Sequence, residues 1–196
     1  MSFYSVLVLS PSSTPLTYFL IDPTFSVGTI HRKKNHIDKA HDCFTKSLAI
    51  KKQHYVVNHI SIAETLHELA KTISLGEKFL EAISTYEAAL LIYEKRLGPH
   101  KITASILDSI GAINFSIGKL DASYRYLERA LVLKRMIFGN DDEQISNTMY
   151  LIGKVQGKSG EIDDALESLK EGRCSISWIP VTASYFMRIF HEDGKN

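Results

Sequence analysis

The stretch Lys78-Phe79-Leu80-Glu81-Ala82-Ile83-Ser84-Thr85-Tyr86-Glu87-Ala88-Ala89-Leu90 decides the fold. It places small residues at Ala82 and Ala89 on either side of a ring at Tyr86, with a second aromatic at Phe79. The pattern recurs upstream as Ile37, Ala40, Phe44, Ser47, Leu48. Downstream it reads Leu120, Ser123, Leu127, Ala130, Leu131, and then Ile162, Ala165, Leu169, Gly172. The first small residues, Ala40, Ala82, Ser123 and Ala165, are spaced 42, 41 and 42 residues apart. A repeat of fixed period in this range is the mark of a solenoid.

A second small residue stands 12 positions before each of these: Gly28, Ala70, Gly111 and Gly153. Each lies in an apolar, helically spaced run flanked by Val27, Leu69, Ile110 or Ile152. Glycine inside a helix costs about 0.5–1 kcal/mol against alanine. Three glycines and an alanine at one register therefore mark a close helix crossing, where ridges meet only over small side chains. Each unit reads as a helix pair, with the Gly/Ala on a first helix (A) and the Ala-x6-Ala on a second (B).

In that order of small, apolar and aromatic positions the chain resembles the tetratricopeptide repeat, whose usual period is 34 residues. The longer period here, with Leu97-Gly98-Pro99-His100 between units, is similar to the subtype found in kinesin light chains. The resemblance spans Asp22 to about Gly172. It implies an all-α, right-handed superhelical solenoid of about four antiparallel helix pairs. The expected organisation is an atypical N-terminal segment (1–21), the repeat solenoid (22–172) and a divergent C-terminal capping segment or tail (173–196). Within that tail the run from Trp178 to Phe190 reads as an amphipathic cap, because the last unit of a solenoid needs its outer face covered.

Composition narrows the function. With 196 residues the chain can bury a sizeable core, and a formal net charge of +1 gives no general attraction to nucleic acid or an anionic membrane. Neither apolar run in residues 1–21 reaches the roughly 18 residues of a membrane span. Two distant cysteines, Cys43 and Cys174, are too few for a disulfide scaffold and point to a reducing, cytoplasmic setting.

Three stretches imitate catalytic motifs and fail on spacing. Gly153-Lys154-Val155-Gln156-Gly157-Lys158-Ser159 has three residues between its glycines where a phosphate loop needs four, and it lies inside a helix rather than after a strand. His67-Glu68-Leu69-Ala70-Lys71 begins like a zinc-protease helix but has Lys71 where the second histidine belongs. His36 and His41 are five apart, which separates them around a helix. No enzyme, cofactor or metal site is expected.

The resemblance implies that the A helices line a concave groove that takes up extended peptides. Carried onto this sequence, the groove positions include His67, Lys71, Asp108, Phe115, Tyr150, Lys154 and Lys158. One edge of the groove would be acidic (Glu68, Asp108) and the other basic (Arg32, Lys33, Lys71, Lys154, Lys158). Kinesin light chains carry asparagine two residues before the small residue; here those positions are Ser26, Glu68, Ser109 and Leu151. General groove binding is what remains implied. The expected function is a non-enzymatic interaction or scaffold module for a protein or extended peptide, acidic beside an aromatic anchor. The alternative is a regulatory or assembly repeat segment of a larger, possibly enzymatic, protein.

Overall fold

The structure, a computed structural model, describes residues 22–139 and 143–174, with side chains through residue 171. Among these residues it contains eight helices and no strand. They are α1 (Pro23–Lys33), α2 (Ile37–His54), α3 (Ile60–Leu75), α4 (Phe79–Leu97), α5 (Lys101–Ser116), α6 (Leu120–Phe138), α7 (Glu143–Ser159) and α8 (Ile162–Cys174). The odd-numbered helices are the A helices and the even-numbered ones their B partners. Each packs on its neighbours in sequence, and α1 also meets α3, as α5 meets α7. In a curved stack the inner layer is the one whose successive helices touch, so the A helices form the inner face. The N-terminal segment (1–21) and the expected cap at Trp178–Phe190 lie outside the described residues.

The small-residue register has a direct cause. A Cβ on Gly111 would come 2.7 Å from Leu127 Cγ, and one on Gly153 would come 2.6 Å from Leu169 Cγ. At Gly28 the nearest atom would be Phe44 Cε1, at 2.9 Å. The side chain three or four residues beyond each B-helix small residue thus fills the space left by the A-helix glycine. Ala40, Ala82 and Ser123 are fully buried at the same crossings. The Ser123 hydroxyl donates to the Gly111 carbonyl at 2.8 Å and so satisfies its own burial. The central helix α5 buries Ile106, Leu107 and Ile110 completely, at about 1.5–3 kcal/mol of transfer free energy each.

The turn inside every pair uses one further repeated position. Asn35, Glu77, Gly118 and Gly160 all have positive φ, at 58°, 59°, 79° and 90°. The following amide reaches back over the helix end in each unit: His36 N to His31 O at 2.9 Å, Lys78 N to Ile73 O at 3.3 Å, Lys119 N to Asn114 O and Glu161 N to Gln156 O at 2.9 Å. This is the Schellman closure, which satisfies carbonyls that the helix leaves without partners. Glycine and asparagine enter the left-handed region cheaply; Glu77 does so at a cost.

Helix starts are also patterned. Asp22 accepts from the Thr24 amide at 3.2 Å, with Pro23 in the first turn. The imidazoles of His59 and His100 cap α3 and α5 in the same way, each accepting through Nδ1 at 3.2 Å from the amide two residues on. No helix among the described residues is long and apolar enough to cross a membrane.

Candidate partner-binding groove

The A-helix face carries two charge clusters of different character. The first joins α1 to α3. Arg32 Nη2 lies 2.9 Å from Glu68 Oε2, and Lys71 Nζ lies 2.9 Å from Glu68 Oε1. Glu68 is therefore not one edge of a groove opposed to a basic edge; it sits between the two cations. Burial alone would raise its carboxyl, but the Lys71 hydrogen bond and the charges of Lys71 and Arg32 outweigh that and hold it below the usual carboxylate range.

The second cluster joins α5 to α7. Lys154 Nζ stands 5.3 Å from the Phe115 ring centroid and 5.7 Å from that of Tyr150. Lys158 Nζ is 5.1 Å from the Phe115 ring. These are cation–π distances. Neither ammonium has a carboxylate partner among the described residues. Tyr150 is exposed and Phe115 is half-buried. Two cations and two rings thus share one accessible patch.

The remaining groove candidates are engaged elsewhere. His67 is only 9 % exposed and packs between the rings of Tyr86 and Tyr93, with centroids at 5.9 and 6.3 Å. Burial, followed by the nearby Lys71 ammonium, pushes its imidazole down to about 4. Asp108 accepts from Lys134 of α6 and from the Thr148 hydroxyl of α7, the latter at 2.9 Å. It is a clasp between units rather than an open groove side chain. Its burial pushes the carboxyl up, with Lys134 and Thr148 offsetting part of that shift. Both residues look groove-facing by register because register fixes the side of their own helix. What covers them, Tyr93 and Lys134, comes from the partner helix of the pair.

Among the described residues no group of three or more histidine, cysteine or carboxylate side chains could hold a metal ion. The half-buried Cys43 is a free thiol.

Comparison with known proteins agrees with the fold. The tetratricopeptide repeat family model matches residues 61–131 and 103–173. The chain belongs to the tetratricopeptide repeat family. Among solved structures it is similar to BtubC (BKLC) from P. vanneervenii, with a TM-score of 0.72 and 21% identity over 81% of this chain and 65% of that one. The present chain therefore spans just under two thirds of that protein. It is also similar to a putative kinesin light chain with nearly identical repeats from Podosopora anserina, with a TM-score of 0.71 and 14% identity over 90% of this chain and 88% of that one. A third similar structure is aspartyl phosphate phosphatase F from Bacillus subtilis, with a TM-score of 0.68 and 18% identity over 87% of this chain and 42% of that one. No curated protein sequence matches the chain.

Proposed function

We propose that this chain is a non-enzymatic protein-interaction module. It binds an extended, acidic segment of a partner protein across the A-helix face, with the contacts concentrated where α5 meets α7. The observation that carries this reading is the patch of Phe115, Tyr150, Lys154 and Lys158. An ammonium held over a ring keeps its full charge for an incoming carboxylate. The rings offer a flat apolar contact of the kind enriched in interface hot spots. Lysines at a rim mainly accelerate and orient encounter, so binding weakens as salt rises.

The test is a peptide-array screen against the full chain, followed by titration of the best ligands. Acidic peptides with an aromatic residue should outbind their basic counterparts. The double variant Lys154→Glu, Lys158→Glu should lose that preference. Equal binding of acidic and basic peptides would overturn the reading.

A second reading, an assembly segment within a longer protein, has one observation in its favour. Val27 and Ile30 on α1 are 41 % and 53 % exposed, whereas Ile110, Ile113, Ile152 and Val155 at the same repeat positions are buried. That edge has the character of a junction with another helix.

A further inference from the structure

Moving 83 residues along the chain carries Arg32, Glu68 and Lys71 onto Phe115, Leu151 and Lys154. The three places are equivalent in space as well as in sequence. In the first half Arg32 of α1 reaches across to Glu68 of α3, which also holds Lys71; in the second, Phe115 of α5 lies against Lys154 of α7. At the junction between them the same places hold Ser74, Ser109 and Ala112, none of which is charged. The halves differ in one respect. In the first, a carboxylate lies between the two cations. In the second, half-buried Leu151 stands where the carboxylate would be rooted, and Lys154 turns to the rings.

We propose that Glu68 is an internal ligand. It fills, in the first half of the groove, the place that a partner's carboxylate takes beside Lys154 in the second half. The proposal rests on the acidic-peptide reading above and sharpens it: the chain carries one acidic-ligand site, and the choice of Glu at 68 and Leu at 151 decides which half is open. The physical reason is tethering. A carboxylate on the same helix, three residues from its lysine, competes at an effective concentration of about millimolar or more. A free peptide at micromolar concentration does not displace it. The Glu68 side chain is also only 17 % exposed and engages both cations, so the Arg32 and Lys71 charges that an incoming carboxylate would seek are already partnered. The ligand register follows. The acidic residue lies over Leu151, and the aromatic anchor lies toward Phe115 and Tyr150.

The experiment titrates the full chain with a fluorescent peptide, acetyl-Gly-Asp-Asp-Phe-Glu-Glu-Gly, at low salt, reading affinity and stoichiometry. Circular dichroism confirms that each variant is folded. The parent should bind one peptide. Leu151→Glu places a carboxylate three residues before Lys154 and should bind about tenfold more weakly than Leu151→Gln, which matches it in size without the charge. Glu68→Gln keeps the shape but releases Arg32 and Lys71, and should bind a second peptide. Equal affinities of the two Leu151 variants together with one site in Glu68→Gln would overturn the proposal. Failure of the parent to bind overturns the groove reading instead. In that case Glu68→Gln still decides the internal-ligand proposal, with one peptide bound if it is right and none if it is wrong.

Discussion

Lys51 and Lys134 occupy the same place in the repeat and make the same bond. Lys51 Nζ donates to Thr65 Oγ1 at 2.8 Å, and Lys134 Nζ donates to Thr148 Oγ1 at 2.7 Å. Each bond ties a B helix to the A helix of the next unit. At the junction between these two, the places hold Tyr93 and Ile106, and the tie is apolar. What the lysine or tyrosine covers on its own unit also changes. Lys51 lies 4.2 Å from the Phe25 centroid, Tyr93 packs on His67, and Lys134 pairs with Asp108. One geometric niche is filled by three different chemistries.

The Lys134 niche is the most demanding of these. Lys134 is 4 % exposed, and its ammonium is held by Asp108, Thr148 and the Gln144 carbonyl. Asp108→Leu leaves a buried cation without its counter-charge, which typically costs about 3–5 kcal/mol. Adding Lys134→Met should recover most of that loss. A urea-denaturation cycle over the parent, both single variants and the double variant measures the coupling. Additive losses would show that the pair is not a unit.

Glu77 sits in the left-handed region at φ 59°, where the third and fourth units use glycine. A residue with a Cβ pays about 1–2 kcal/mol there, while glycine in the unfolded chain gives back part of the gain. Glu77→Gly should therefore raise stability by roughly 1 kcal/mol. The same change at exposed Glu81, inside α4, should lower it. Thermal melts of the two variants, read side by side, check the sign.

Gly111 shows the opposite case. Gly111→Ala gains helix propensity but drives a Cβ to 2.7 Å from Leu127 Cγ. Overpacking of this kind costs about 1–3 kcal/mol, so the variant should be less stable than the parent despite the better propensity. In a Leu127→Ala background the same substitution should become neutral or favourable. A midpoint that rises in the parent background would mean the crossing is looser than described.

His67 makes stability depend on pH. Its imidazole is held down to about 4 by burial, against about 6.5 when unfolded. Between these values the unfolded chain binds a proton that the folded chain does not. Stability is therefore full above the unfolded value and falls as pH drops. From pH 7.5 to 5 the loss from this group is about 2 kcal/mol. His67→Leu should flatten that part of the profile, measured by urea midpoints at the two pH values. An unchanged slope would place the dependence on other groups.

The sequence made the fold legible because its constraint is steric and repeats. Only small residues fit at Gly28, Ala70, Gly111 and Gly153, so the spacing shows without any structure. It also placed Phe115, Tyr150, Lys154 and Lys158 on one face, since all four lie on A helices at related positions. It did not show that Glu68 pairs with Arg32, because that contact joins two units and depends on how far α1 leans over α3. Nor does it show the covers of His67 and Asp108, for a related reason: they come from B helices. The turn position was legible but hidden by its residue types, as Asn35, Glu77, Gly118 and Gly160 look unlike one another. The capping histidines His59 and His100, 41 residues apart, carried the same overlooked signal.

Helix α6 buries residues on two sides. Ala130 belongs to the apolar cluster that runs from α2 through α6. Leu127 belongs to a second cluster with Ile152 and Val155 of α7, joined by Phe115, Leu120, Tyr124, Leu131 and Leu151. Among the described residues the apolar core thus falls into two blocks that share α6 as a wall. Opening of the last unit strips one side of α6 and leaves the other block closed, so amide exchange should spread inward from α8 in steps rather than all at once. A molecule lodged across Phe115 and Lys154 would tie α7 to α5, whose Ile106, Leu107 and Ile110 belong to the first cluster. It would act as a rivet, merging two melting events into one.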